Sequence, residues 1–182
     1  MDRRGSGHPR GSLPRLRPGR LGAGGLRRPP PLLPFSGAVW RILLLSHADA
    51  PLAPARAPEG RFHHSGQAAL YTSLTPEGCA VAIRRYVSQA NDPRVIQPIR
   101  VCAKRIADYR GNPEASVVWQ DIRATGAAAP TWVFSDAARA AGAQGLLYSS
   151  RSRPELSHLV MFDLSGDAVQ ALGPTRPWQP PG

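Results

Sequence analysis

This chain of 182 residues is poor in cysteine, in lysine and in long apolar runs, and each scarcity excludes something. Its two cysteines, Cys79 and Cys102, have neither metal-ligand spacing nor the density of a disulfide scaffold. Both are read as core residues, no metal is expected, and a reducing cytoplasm is the simplest compartment. Lys104 is the only lysine and the other 22 basic residues are arginine, which points to a compositional bias rather than a dedicated basic surface. The run Ala38 to Leu45 is short and interrupted by Arg41, so neither a targeting segment nor a membrane span is expected. A Walker loop, a Rossmann glycine fingerprint, HExxH and paired CxxC are all missing, which leaves several common enzyme classes without support. The length suits one core.

Charge and structure-breaking residues are concentrated at the start. Residues 1 to 36 hold eight arginines against one aspartate, with seven prolines and seven glycines, so only +4 of the formal charge of +11 lies beyond them. Such a segment has no apolar face to offset the entropy of ordering, and it reads as a disordered leader. A basic leader can contact phosphate, but direct nucleic-acid binding is not the expectation. The domain is expected at 37 to 165, followed by a flexible Pro/Gly-rich tail from 166 to 182.

Within the domain, Ala38 to Leu45 and Ala68 to Ser73 read as strands. Thr75 as N-cap, Pro76 in the first turn and Glu77 at the positive dipole end predict a helix from Pro76 to about Val87. Its inner face is expected to carry Cys79, Ala82, Ile83 and Tyr86, with Arg84 and Arg85 solvated beside it. Val95 to Ala107 reads as an extended strand marked by Pro98, and Ser135 to Ala141 as a second helix capped by Ser135 and stopped by Gly142. Gly145 to Ser150 and Ser157 to Asp163 complete the strands. Strands dominate without regular alternation with helices, so the fold class is α+β: one compact domain of short strands with a few helices.

Three polar groups stand out: Arg41 inside an apolar strand, Arg61 after a glycine, and Tyr71 inside another strand. Two guanidinium groups near one another require an anion between them, and a pyrophosphate matches their planar fork. A nearby aromatic ring can stack on a flat cationic heterocycle. Taken alone, the residues favour the plainer reading in which each arginine pairs with a carboxylate such as Asp163, and His63 and His64 read as exposed loop histidines.

Longer motifs give these residues a context. Gly60-Arg-Phe-His-His-Ser-Gly-Gln-Ala-Ala-Leu-Tyr-Thr-Ser73 resembles the opening block of the RES domain family. Ser135-Asp-Ala-Ala-Arg-Ala-Ala-Gly-Ala-Gln-Gly-Leu-Leu-Tyr-Ser-Ser150 resembles its closing block, and Val39-Trp-Arg41 resembles the family's strand-borne arginine. The resemblance implies an ADP-ribosyltransferase-like fold and the consumption of NAD as substrate by a toxin. It also implies a partner antitoxin of the Xre helix-turn-helix type. By the same resemblance Arg61 and Ser150 match the naming arginine and serine. Arg41 and Tyr71 match the accessory arginine and the tyrosine that hold the nucleotide. Arg61, Tyr71 and Ser150 are thus the expected catalytic residues, and these three with Arg41 the nucleotide-binding ones. The family glutamate falls at Ala82, which supplies no carboxylate, and Glu77 is read as serving the helix N-terminus instead.

Overall fold

The apolar alternation along Leu32–Leu44 and Arg94–Asp108 pairs two long strands, β1 and β3, antiparallel from Leu32 opposite Ala107 to Leu44 opposite Arg94. The computed structural model describes residues 30–87 and 92–180. Between β1 and β3 in sequence lie β2 (Leu70–Ser73) and α1 (Pro76–Val87). After β3 come α2 (Gln120–Ala124), α3 (Trp132–Ala140), β4 (Gly145–Ser149), β5 (Ser157–Met161), β6 (Val169–Ala171) and β7 (Arg176–Trp178).

The sheet follows the order β1-β2-β5-β4-β3 and returns to β1 through the β1–β3 ladder, closing on itself. On its opposite edge β3 bonds in turn to β7 near Arg94, to β6 near Val101 and, in parallel, to β4 from Ile106 to Asp108. Closure leaves few unpaired strand edges. This is the expected α+β class, with one domain of mixed sheet and few helices.

Side chains alternate across a strand, and the core divides accordingly. Leu70, Leu147, Leu159 and Met161 pack inside with Val39, Ile99 and Val101. Leu146, Tyr148 and Val160 point the other way and pack with Phe62, Phe134 and Ala138. The same alternation puts Tyr71 and Ser73 of β2, His158 of β5 and Tyr148 of β4 on the second face.

Several elements depart from expectation. β1 begins at Leu32, inside the segment read as leader; the rest of that leader, residues 1–29, lies outside the described residues. The supposed flexible tail contributes β6 and β7, because Ala168 and Val169 are buried and the backbone there finds partners on the open edge of β3. Helix α3 starts at Trp132 rather than after Ser135. Thr131 spends its hydroxyl on the Arg61 carbonyl, and Trp132 Nε1 donates to the Gly60 carbonyl at 2.8 Å, so tertiary bonds set the start. Ser135 is inside the first turn, its hydroxyl donating to the Trp132 carbonyl, while Gly142, with φ of 75°, ends the helix as expected. Cys79 is buried but Cys102 is exposed, so only one cysteine is a core residue.

Helix α1 matches its expected span, and Thr75 Oγ1 accepts from the Gly78 N–H at 3.0 Å. Its packing differs. Gly78 and Cys79 are the buried residues, Ala82 is exposed and Tyr86 is 48% exposed. A Cβ on Gly78 would lie 3.1 Å from Ser73 Cβ, so the first turn presses on β2 while the following turns stand over open space.

Candidate functional site

That open space is a cavity of about 540 Å³ beneath α1. Its strand wall carries Tyr71, Ser73, Tyr148 and His158, and its helical wall carries Ala82, Arg85, Tyr86 and Trp119. All four residues expected at the site, Arg41, Arg61, Tyr71 and Ser150, line it.

Arg61 comes from the loop that Gly60 opens. A Cβ on Gly60 would lie 2.4 Å from the His63 ring and 2.9 Å from the Tyr71 hydroxyl, so the loop folds back only because this residue is glycine. Arg61 Nη1 donates to the Val117 carbonyl at 2.7 Å, and its guanidinium carbon lies 5.8 Å from the centroid of Tyr148. Arg41 is held differently: its Nη1 donates to the carbonyls of Pro51 at 2.8 Å and Ala53 at 2.6 Å. The Ala/Pro-rich segment after β1 therefore supplies the acceptors that a buried arginine needs, and burial lowers Arg41 to a pKa of about 10. Neither arginine is bonded to Asp163, which accepts from Gln144 Nε2 at 2.9 Å and from the Ser165 N–H.

Tyr71 is pinned by the same loop. Its hydroxyl accepts from the Phe62 N–H at 2.9 Å and lies 2.8 Å from His63 Nδ1, while His63 Nε2 lies 2.9 Å from the Ala57 carbonyl. A carbonyl only accepts, so Nε2 carries hydrogen, and in the neutral ring Nδ1 receives the Tyr71 proton. Burial pushes the Tyr71 hydroxyl well above its ordinary pKa, so it remains a hydrogen-bond donor at neutral pH. His63 is accordingly a buried structural residue, 3% exposed, and not the exposed loop histidine expected. His64 is half-buried, bonded to Asp136 at 3.0 Å and stacked on Trp132 at 4.3 Å. Ser150 is buried at the end of β4, its N–H bonded to the Leu156 carbonyl at 2.8 Å.

Sequence reasoning missed three cavity residues. Arg85 is exposed, as expected, and it also lines the cavity and pairs with Asp121 at 3.5 Å. Arg151 lines it from the loop after Ser150. His158 is buried opposite both Ser73 and Tyr148 in the sheet register, with Nδ1 2.8 Å from Ser73 Oγ. Four arginines thus face a single lining carboxylate, Glu59, and Glu59 is already bonded to Arg123 at 2.7 Å. Such a balance suits an anionic ligand.

The RES domain family model matches residues 38–180. The chain belongs to the RES domain family. A search of curated proteins finds no match. Among solved structures, this RES domain is similar to a chain in the crystal structure of the M. tuberculosis MbcT-MbcA toxin-antitoxin complex, with a TM-score of 0.63 and 19% identity. The alignment covers 82% of this chain and 88% of that one, and at this identity it establishes the shared fold. Ala82, where the sequence resemblance puts the family glutamate, lines the cavity from α1. Glu77 instead pairs with Arg153 at 3.1 Å and is absent from the lining. Among the described residues no helix is long and apolar enough to cross a membrane, and no cluster could hold a metal ion.

Proposed function

We propose that the cavity binds NAD and that the protein cleaves its nicotinamide–ribose bond, as the toxin component of a toxin–antitoxin pair. The observation that carries this reading is the four-arginine cavity with Tyr71 and Tyr148 in its wall. Its volume of about 540 Å³ falls within the range of small-molecule sites, roughly 300–1,000 Å³. Arg61 and Arg41 offer positive charge to the pyrophosphate, Tyr71 packs against the nicotinamide, and Ser150 donates to a ribose or phosphate oxygen. In the reaction the N-glycosidic bond breaks and its electron pair leaves with nicotinamide, neutralising the pyridinium charge. Water, or a nucleophile on an acceptor, forms the new bond to the ribosyl carbon and releases a proton. An antitoxin of the Xre helix-turn-helix class and a cytoplasmic location belong to the same reading.

Incubating the purified protein with NAD and measuring free nicotinamide tests it. Release is expected from the wild type and loss of at least about tenfold from Arg61→Ala, the order expected for a hydrogen-bonded charge contact worth 1.5–3 kcal/mol. No release above the Arg61→Ala level, with no transfer to any acceptor, would remove the enzymatic reading.

One observation favours a second reading. With alanine at position 82 and Glu59 engaged by Arg123, the cavity offers no unengaged lining carboxylate to stabilise a ribosyl cation. A domain that binds NAD or ADP-ribose without turnover fits that chemistry. Calorimetry separates the two: saturable heat with NAD and no nicotinamide release supports the binder, whereas continuing heat from turnover supports the enzyme.

A further inference from the structure

His158 is a buried polar group of the cavity wall that the reading above leaves without a task. It sits at the centre of the β2-β5-β4 face, directly opposite Ser73 on one side and Tyr148 on the other. The imidazole is 3% exposed and Ser73 is 2% exposed. Ser73 Oγ bonds Nδ1 at 2.8 Å, and the Tyr148 ring lies 5.0 Å away, centroid to centroid. Among the described residues Nε2 has no hydrogen-bond partner, although His158 lines the cavity. Nε2 is not among the sealed, unpartnered polar atoms, so it reaches the cavity, and its partner is water or a ligand held there.

The surroundings specify the partner's charge. Arg61 from the loop before β2 faces the imidazole, Tyr148 faces it from β4, Tyr71 shares its face of β2, and Cys79 of α1 lies behind Ser73. None of these is a carboxylate. We propose that His158, oriented by Ser73, is a further ligand-binding residue that donates from Nε2 to an anionic phosphate-type oxygen held at Arg61, and that it takes up a proton when this anion binds.

Ser73 suits both protonation states. Its hydroxyl donates to Nδ1 of the neutral ring and accepts from Nδ1–H of the charged ring, so the proton arrives without breaking the contact. Burial, aided by the charge of Arg61, lowers His158 to a pKa of about 4, and without an anion beside it the ring is neutral at pH 7. An anion beside it offsets Arg61 and favours the imidazolium, raising the pKa in the bound state. Binding then strengthens as pH falls through the bound-state value and levels off below the free-state value. A rise of about two units on binding gives roughly tenfold tighter binding at pH 5 than at pH 7.5.

This inference rests on the nucleotide reading only for the choice of ligand, and the test uses two. ADP-ribose, whose pyrophosphate does not titrate in this range, and sulfate are titrated into the intact protein by calorimetry from pH 7.5 to pH 5, in two buffers of different ionisation enthalpy. The expected result is proton uptake and tightening toward pH 5 in the wild type, both lost in His158→Gln, which keeps a donor but cannot titrate. If His158→Gln does not fold, Ser73→Ala decides, and its pH dependence must shrink because the imidazolium loses its acceptor. ADP-ribose binding with the same pH dependence in these variants overturns the role of His158 and leaves the nucleotide reading standing. Sulfate binding with a His158-dependent rise, and no ADP-ribose binding, supports His158 and overturns the nucleotide reading. No binding of either anion by the wild type overturns both.

Discussion

The two walls of the cavity are built to different standards. On the strand wall, Tyr71, Ser73, Tyr148 and His158 stand on paired strands, and Tyr71 is tied further to Phe62 and His63. On the helical wall, Ala82 and Tyr86 are exposed, and the bonds between α1 and the α2 segment are surface contacts, Arg85 to Asp121 at 3.5 Å and Gln120 to the Tyr86 hydroxyl at 3.1 Å. A sheet wall positions groups by register and packing together, whereas a helix packed mainly through its first turn and held elsewhere by exposed contacts positions them less firmly. Substitutions on the two walls should therefore separate: those on the strand wall cost stability as well as any ligand contact they remove, whereas those on the helical wall act on ligand and turnover with little cost in stability.

The largest effect is expected at Phe62, which is fully buried and meets Tyr148 edge to face at 4.8 Å. Phe62→Ala should cost about 3–5 kcal/mol in denaturant unfolding, from lost transfer energy and the space left behind. A loss near 1 kcal/mol would mean that the loop carrying Arg61 is not anchored through this ring, and the contrast between the walls would fail.

Next in size is Ala82 on the opposite wall. Ala82→Glu adds a carboxylate to a cavity lined by four arginines, and opposite charge keeps such a group ionised. If the rest of the site is competent, nicotinamide release should rise roughly 100-fold to 1000-fold, the scale of one preorganised transition-state contact, about 2.7–4 kcal/mol. Stability should change by only about half a kcal/mol, since the residue is exposed on a helix and glutamate is a good helix former. Ala82→Gln controls for size without charge. Equal release from wild type, glutamate and glutamine forms, all folded, would place the catalytic carboxylate elsewhere, and Glu59 would be the next residue to change.

The walls also differ in what the sequence discloses. Helix α1 was legible to the residue, because Thr75, Pro76 and Glu77 are local signals and nothing in the tertiary structure opposes them. Its facing was not legible: the stripe Cys79, Ala82, Ile83 and Tyr86 looks like a core face, and only the placement of the first turn against Ser73 turns most of it toward a cavity. His158 falls inside the expected strand Ser157 to Asp163 and is not singled out there. Its significance comes from the register that sets it opposite Ser73, 85 residues away in sequence, and opposite Tyr148. A pairing of that kind leaves no local mark. The start of α3 and the two strands in the Pro/Gly-rich tail were lost for the same reason, since tertiary partners override weak local preference.

The smallest predicted effect tests how α1 is held. Thr75 Oγ1 accepts the Gly78 N–H at 3.0 Å, one of the orphan donors of the first turn, and that turn is where the helix meets the sheet. Thr75→Ala removes the acceptor and should cost about 1 kcal/mol, within the 0.5–2 kcal/mol range of such caps, and Thr75→Ser should recover most of it. Amide exchange gives a sharper readout than global unfolding, because the loss is concentrated where the helix starts. The amides of Gly78 and Cys79 should exchange faster in Thr75→Ala, while those of β2 and β5 stay at wild-type protection. If β2 loosens to the same extent, the first turn of α1 and the strand beneath it form one cooperative unit, and the helical wall is better anchored than its exposed side chains imply. If neither region changes, the burial of Cys79 and its thiol bond to the Trp40 carbonyl at 2.8 Å, rather than the cap, fix the helix over the cavity.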